Sequence, residues 1–438
     1  MRSSKKVPKT VRERTTRLLK MAGSLASQEI LKRFQKTQSS ITPLLNLPQI
    51  HLLVKELGHL KGAAMKLGQM LALEARDYFP EEVCVILDQL QSNASFLEFP
   101  VIESILKTEL QEKYQDFSEI SEEPIAAASI GQVHFSKLQS GEELAIKIQY
   151  PGIADSIDSD IKILSKILKA ASFLMRKQVD LTPLIQEFSQ ILIQESNYLK
   201  EANYSENYRE KAKVLPEIII PAIYNQYSTQ KILTMEFKRG QKFSQWISTQ
   251  EATLENRSFY GKLILDLYTR EFCDWGLVQT DPNLGNFLFC SKNRTLVLLD
   301  FGATKEYDLD FRRNYSKLIT ATLEKNSKKI LKLGEQMRLI HPQESVETKN
   351  IFKELLLESM KPIAQKEYDF SESSYPEKMR TITRNLVKSL RFSAPPENLI
   401  FLHRKLSGVF YILRGLKIKL QLKSYTERFE ALDSLKSF

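Results

Sequence analysis

Apolar residues recur every three or four positions from Leu52 to Leu73, the spacing of an amphipathic helix. Pro80 followed by Glu81 and Glu82 marks a helix start, and Val83, Ile86, Leu87 and Leu90 carry the next apolar stripe. The chain up to about residue 100 is therefore expected to be mostly helical. From Ile125 the texture changes. In "PIAAASIGQVHFSKLQSGEELAIKIQYPG" short apolar runs flank Ser140-Gly141, which predicts a hairpin of two strands. Helical periodicity returns from Ile153 through Ala212, and "ILTMEF" at 232–237 predicts a further strand that ends before Gly240. From Phe243 onward the pattern is helical again, interrupted by a loop and strand pair around Asp281 and Asp300. Near the end, Leu406, Phe410, Ile412, Leu416 and Leu420 accompany Arg404, Lys405, Arg414, Lys417, Lys419 and Lys423. They predict a bundle helix with solvated basic residues, with a cationic docking face as the alternative.

Composition narrows the class. With 438 residues, 42% of them hydrophobic, the chain can bury a large core in two or three domains or one two-lobed body. No apolar run reaches the ~18–20 residues needed to cross a bilayer, and the segment after Met1 lacks the apolar core of a secretory signal. Cys84, Cys273 and Cys290 are scattered and odd in number, which suits a reducing compartment. The net charge of +10 is concentrated early: eleven basic residues from Arg2 to Lys36 face only Glu13 and Glu29. Leu18, Met21, Ala22 and Leu25 fall at helical spacing within that arm, so it reads either as a basic helix on an anionic membrane surface or as a solvated tail. An amphipathic transit peptide would have the same character. No aromatic interleaving or reader motif supports nucleic-acid binding.

Four elements then appear in an informative order. They are the small-residue turn from Ala126, Ala127, Ala128 and Ser129 to Val133, then Lys147 in "LAIKIQ", then Asp281 with Asn286 in "DPNLGN", and last Asp300 in "LDFG". Alone, each is ordinary turn or strand chemistry. Together they follow the kinase sequence of nucleotide loop, phosphate-binding lysine, catalytic acid with a metal-holding amide, and first metal ligand. Phosphoryl transfer needs mainly positioning and charge neutralisation, so hard oxygen donors from Asn286 and Asp300 suit Mg2+ and Lys147 suits phosphate. A carboxylate must hold that lysine, and "QESNYLKEANY" offers Glu195 and Glu201. Asp281 would take a hydroxyl proton or orient water. The main chain at Glu236 and Phe237 falls where a hinge strand meets adenine, although Met235 and Phe237 also read as core. Yet no His-Arg precedes Asp281, and no Ala-Pro-Glu follows Asp300. His134 and His403 have no partner at metal-ligand spacing and read as structural.

From about Leu52 to the C terminus the sequence resembles the UbiB family of atypical kinase-like proteins, the aarF-domain-containing kinases. The resemblance rests on "MKLGQM" at 65–70, similar to the family's Lys-x-Gly-Gln motif, and on "AAASIGQVH", "QESNYLKEANY", "DPNLGNF" and "LLDFGATKEYD". "LHRKLSG" at 402–408 looks most like the coenzyme Q branch. The resemblance implies an α+β, bilobal protein-kinase-like fold with a helical N-terminal extension: a basic arm over 1–45, the extension over 46–110, an N-lobe over 111–236 and a C-lobe over 237–438. It implies ATP or ADP with Mg2+, Lys147 on phosphates and paired with Glu201, Ala126 to Ser129 over the phosphates, Asp281 as the catalytic-loop acid, and Asn286 and Asp300 as magnesium ligands. Lys66 and Gln69 would lie on a helix covering the site, with Lys66 meeting Glu195. The family's second acid is here Asn197, so Glu195 is the one carboxylate of that motif for Lys66 to meet. The resemblance further implies ATPase activity stimulated by anionic lipid and quinone-precursor-like compounds, in support of ubiquinone biosynthesis and its enzymes. It leaves open a homodimer, and a peripheral place on either the cytoplasmic face of a bacterial inner membrane or the matrix face of the mitochondrial one. A kinase acting on protein or small-molecule hydroxyls and a non-catalytic nucleotide-binding scaffold are the competing expectations.

Overall fold

The computed structural model describes residues 96–128, 130–154, 157, 161, 189–190, 192–371, 374–391 and 397–434. The basic arm, the Leu52–Leu73 segment expected to be helical with Lys66 and Gln69, and Ser129 lie outside the described residues. The described residues form two compact units: those up to Ala202 together with Ile223–Phe237, and those of Asn203–Ala222 together with those from Lys238 onward.

In the first unit, helix α1 (Phe99–Leu110) starts with Pro100 in its first turn, where the missing N–H costs nothing, and buries Ile102, Leu106 and Leu110. The sheet is antiparallel and contains β1 (Phe117–Ile120), β2 (Ala126–Ala128), β3 (Gly131–Leu138), β4 (Glu143–Gln149) and β6 (Ile232–Glu236). Its spatial order is β1-β3-β4-β6, with β2 also on β3. The hairpin expected around Ser140-Gly141 is β3–β4. Central strand β4 is buried from Leu144 to Gln149, and Leu144, Ile146 and Ile148 pack in one core with Ile102, Leu106 and Ile232. Each such fully buried side chain stabilises by about 1.5–3 kcal/mol.

The alanine-rich stretch differs from the expected open turn. Ala126–Ala128 is a strand, with Ala126 opposite Val133 and Ala128 opposite Gly131, so the stretch is the first arm of a tight hairpin. Where the hairpin returns, Gly131 lies so close to β4 that a Cβ on it would run into the carbonyl oxygen of Ile148, and only glycine fits.

Helix α2 (Tyr198–Lys211) crosses the division, with its first five residues in the first unit. The second unit is mainly helical. Its longer helices are α3 (Leu254–Arg270), α4 (Leu309–Leu323), α5 (Ser327–Gln336), α6 (Val346–Ser359), α7 (Ser374–Ser389), α8 (Glu397–Leu416) and α9 (Lys423–Ser434). Side-chain oxygens of Thr253, Asp308, Asn326 and Ser345 accept first-turn N–H groups and fix where α3, α4, α5 and α6 begin. A four-stranded sheet, ordered β5 (Ile218–Ile219), β10 (Thr295–Leu298), β9 (Phe287–Cys290) and β7 (Gln241–Lys242), is inserted among them. A ribbon pairs β8 (Leu277–Gln279) with β11 (Thr304–Glu306), and a second pairs β12 (Tyr368–Asp369) with β13 (Lys419–Leu420). Phe272, Leu296, Ile330, Ile340, Leu402 and Leu416 lie in one core.

The C-terminal pattern needs two corrections. The run from Leu406 to Leu420 is not one helix, because α8 ends at Leu416 and Leu420 belongs to β13. Lys405 is not solvated: it is 3% exposed, drawn inward by Glu271.

Candidate functional site

In the first unit β4 places Lys147 opposite Val133 of β3 and Leu233 of β6. A cation buried in mid-sheet needs a partner, and Glu201 supplies one in bidentate form, its Oε1 and Oε2 lying 2.9 and 3.0 Å from Nζ. The ammonium also stands 5.0 Å from the centre of the Tyr198 ring. Of the two carboxylates offered by the sequence, the structure brings Glu201 to Lys147; Glu195 is buried upstream of the same helix. Asn197 has a local role that its replacement of an acid leaves intact. Its Oδ1 accepts from the Lys200 N–H at 3.1 Å at the head of α2, a contact a carboxylate would also make, so the amide keeps the cap and omits the charge. At the end of β6 the Phe237 N–H donates to the Glu143 carbonyl at 2.9 Å, so an adenine edge there would have to meet other main-chain groups of Glu236 and Phe237. His134 is structural: its Nδ1 meets the Ser121 carbonyl at 2.7 Å, its Nε2 meets the Gln132 amide at 2.9 Å, and burial pushes its pKa down.

In the second unit the β9–β10 hairpin collects the other candidates. Phe287 pairs with Leu298, and the Leu299 N–H donates to the Asn286 carbonyl at 3.0 Å, which sets Asn286 and Asp300 at the same end of the ladder. Asn286 Nδ2 donates to Asp281 Oδ2 at 3.1 Å, so the amide oxygen is the donor atom left for a cation. Asp300 Oδ1 accepts from the Gly302 N–H at 2.9 Å, which fixes the carboxylate in its turn. Two hard oxygen donors from protein suit Mg2+, which keeps several waters and takes phosphate oxygens for the rest. The donor chemistry of Asn286 and Asp300 therefore fits the expected metal. Among the described residues there is no cluster of three or more His, Cys, Asp or Glu residues that could hold a metal by themselves.

Sequence reasoning missed what surrounds Asp281. Arg404 of α8 lies 3.4 Å from Asp281 Oδ1, and both side chains are 10% exposed. The arginine absent from the residue before the acid is thus supplied from 123 positions later in the chain. Two residues before the acid stands Gln279, whose Nε2 donates to the carbonyls of Asp281 at 2.8 Å and Asp300 at 3.3 Å. Its Oε1 accepts from Lys405 Nζ at 3.1 Å. Lys405 also pairs with Glu271 at 3.3 Å, and Glu271, fully buried, accepts from the Tyr208 hydroxyl. The available signal was "LHRKLSG", a family match with no role attached, and Gln279 at the place of the kinase histidine.

Burial pushes the Glu271 carboxyl up to about 7 from an ordinary 4.5, against the pull of Lys405. Between those values the folded protein holds a proton that the unfolded chain has released. The associated stability is fully present below about pH 4.5 and is lost as pH rises through about 7. Glu271→Gln is expected to flatten this part of the stability profile by roughly 1–3 kcal/mol. Urea unfolding at pH 5 and pH 8 checks it: an unchanged pH slope in the variant would show that Glu271 does not carry the proton.

A sheet-rich unit with a buried Lys147–Glu201 pair, and a helical unit with an acid, an amide and an Asp-Phe-Gly aspartate, define a kinase-like fold with an unusual catalytic loop. The description of the ABC1 atypical kinase-like domain matches residues 89–334, more than half of the chain. The chain belongs to that family, in keeping with the UbiB resemblance of its motifs. It is 30% identical to "Atypical kinase COQ8, mitochondrial" of Saccharomyces cerevisiae, over 89% of this chain and 77% of that protein. With the Schizosaccharomyces pombe protein of the same name it shares 30% identity over 96% of this chain and 70% of that one. Among solved structures, the complex of Rv3197 with erythromycin from Mycobacterium tuberculosis is similar at 25% identity and a TM-score of 0.58, covering 85% of this chain and 93% of that one.

Proposed function

We propose that this chain is an ATP-dependent, peripheral membrane protein whose ATP turnover, stimulated by anionic lipid, supports ubiquinone or related prenyl-quinone biosynthesis. The observation that carries the reading is the fixed set of Asp281, Asn286 and Asp300 on one hairpin and its preceding loop. In this reading Lys147, held by Glu201, binds ATP phosphates, and Asn286 and Asp300 hold Mg2+. The metal, when bound, neutralises charge on the phosphate oxygens. Asp281, gripped by Asn286 and Arg404, orients the acceptor and takes its proton. Water is the favoured acceptor, because only β11 and the Asp308 cap stand between Gly302 and helix α4, which leaves little chain to present a peptide. Among the described residues no helix is long and apolar enough to cross a membrane, and the early basic arm has the composition for anionic lipid. Quinone precursors, the enzymes that act on them, and the inner-membrane location follow from the family resemblance, to which the COQ8 relatives add weight.

The test has two arms. Purified protein should hydrolyse ATP faster with anionic vesicles than with neutral ones, and turnover indifferent to lipid charge would remove the membrane part. Cells deleted for the gene should show a depleted prenyl-quinone pool, restored by the wild type and not by Lys147→Ala. A normal pool in the deletion strain would overturn the biosynthetic part.

A further inference from the structure

Gln279 sits at the end of β8, 2% exposed, with its ladder partner Thr304 on β11. Its amide leaves no ambiguity about orientation. The nitrogen faces two carbonyl oxygens, those of Asp281 and Asp300, and the oxygen faces an ammonium, that of Lys405. One side chain therefore ties the main chain of the candidate catalytic acid to that of the candidate metal ligand, across the 18 residues that separate them.

The tie is anchored from below. Helix α3 runs into a wider turn over Glu271–Trp275, and Glu271 enters the interior at its first position. There its carboxyl accepts from the Tyr208 hydroxyl and the Gln279 N–H and pairs with Lys405. Among the described residues the charged groups in contact here are Glu271 and Lys405, and the acid balances the base once its carboxyl ionises above about pH 7. A buried ion pair is a costly way to gain stability, since an apolar pair of the same volume serves as well. What it provides here is direction. Lys405 holds the Gln279 oxygen and so aims the nitrogen at both carbonyls.

We propose that Gln279 is a positioning residue for the metal-dependent step: it sets Asp281 and Asp300 at a working separation, and Glu271 with Lys405 holds it in place. It touches neither nucleotide nor metal, and acts through the main chain of the residues that do. The proposal rests on the functional reading above and deepens it, because the same acid and metal ligand are involved.

The experiment compares Gln279→Leu, Gln279→Asn and Gln279→His with the wild type in Mg2+-titrated ATP turnover and in the rise of melting temperature produced by ADP with Mg2+. Leu removes both hydrogen-bonding ends. Asn keeps them but is one carbon too short to span the three partners, and it decides the matter if the Leu variant does not fold. His offers a donor and an acceptor at nearly the reach of Gln. Leu and Asn are expected to need ~10-fold more Mg2+ for half-maximal turnover, the scale on which groups behind a metal ligand act, with the KM for ATP at saturating Mg2+ little changed. His is expected to recover most of the loss. If Leu or Asn shows the wild-type Mg2+ requirement, or if its melting temperature falls while that requirement stays the same, Gln279 is structural only and the proposal is overturned. If the wild type itself shows no Mg2+-dependent response to nucleotide in either measurement, the functional reading falls, and this proposal falls with it.

Discussion

Asp300→Asn is expected to lower Mg2+-dependent ATP turnover by ~10²–10³-fold, the scale on which loss of one charge-stabilising group acts in a preorganised site, while the protein stays folded. The substitution is nearly isosteric. The Gly302 N–H, 2.9 Å from Asp300 Oδ1, can donate to an amide oxygen as well, and the Gln279 contact uses the main-chain carbonyl that the substitution leaves alone. What disappears is a negative oxygen donor. Mg2+ holds carboxylate far better than amide because it is a hard cation with a costly hydration shell. Asn286 already supplies an amide, so the variant would offer two neutral donors where one charged and one neutral stood before. A Mg2+ titration of turnover beside a melting curve checks this: activity within a few-fold of wild type at equal Mg2+ would remove Asp300 from the metal site. A matching loss of melting temperature would instead show that the residue serves the fold.

The parts of this arrangement that the sequence displays are those held by local chain. Asp281 and Asn286 lie five positions apart, and the Asn286 amide reaches the carboxylate within one turn of chain. Asp300 follows two residues after β10, the next strand of the same hairpin, so the short hairpin brings it to the end of the ladder where Asn286 stands. Alternation along "LAIKIQ" turns Lys147 inward, and the helical spacing of "QESNYLKEANY" offered it two acids without choosing between them. The structure pairs the lysine with Glu201, which lies one turn into α2 beyond the Asn197 cap, and that pairing depends on how the helix packs on the sheet. The alanine stretch reads as a turn in the sequence because small residues favour turns in isolation. Its pairing with β3 depends on the sheet already being there. Harder still were Arg404 and Lys405, whose partners are more than 120 positions away. On a helical wheel they are indistinguishable from solvated bases, and only the tertiary fold puts an acid opposite each of them. Where a kinase has His-Arg before its acid, this chain has Gln279-Thr280, and the polar partners of Asp281 come from other places. Gln279 occupies the first position, and α8 brings the guanidinium from elsewhere.

That dependence on α8 makes Gly408→Ala the second large effect. In an ordinary helix interior the change from Gly to Ala gains about 1 kcal/mol, so propensity alone predicts a more stable protein. Here the sign should reverse. A Cβ on Gly408 would lie 1.7 Å from Pro282 Cβ and 2.4 Å from its Cγ, distances that no side-chain adjustment relieves because a proline ring has nowhere to rotate. Either α8 or the loop must move. Overpacking of this kind costs about 1–3 kcal/mol, which exceeds the propensity gain over most of that range. The movement also falls where it does most harm. Pro282 is the residue after Asp281, and Arg404, one turn back on the same helix, is the acid's cationic partner. A shift of either element separates that pair and disturbs the aim of the carboxylate. Gly408→Ala should therefore unfold at lower urea concentration and lose ~10-fold or more in turnover, since small misplacements of reacting groups can cost up to ~10²-fold. Gly408→Ser should behave alike, because its Cβ meets the same ring. A Gly408→Ala protein that is more stable than the wild type and fully active would mean that α8 does not rest on the loop bearing Asp281. Arg404 would then have no claim to a place beside the acid.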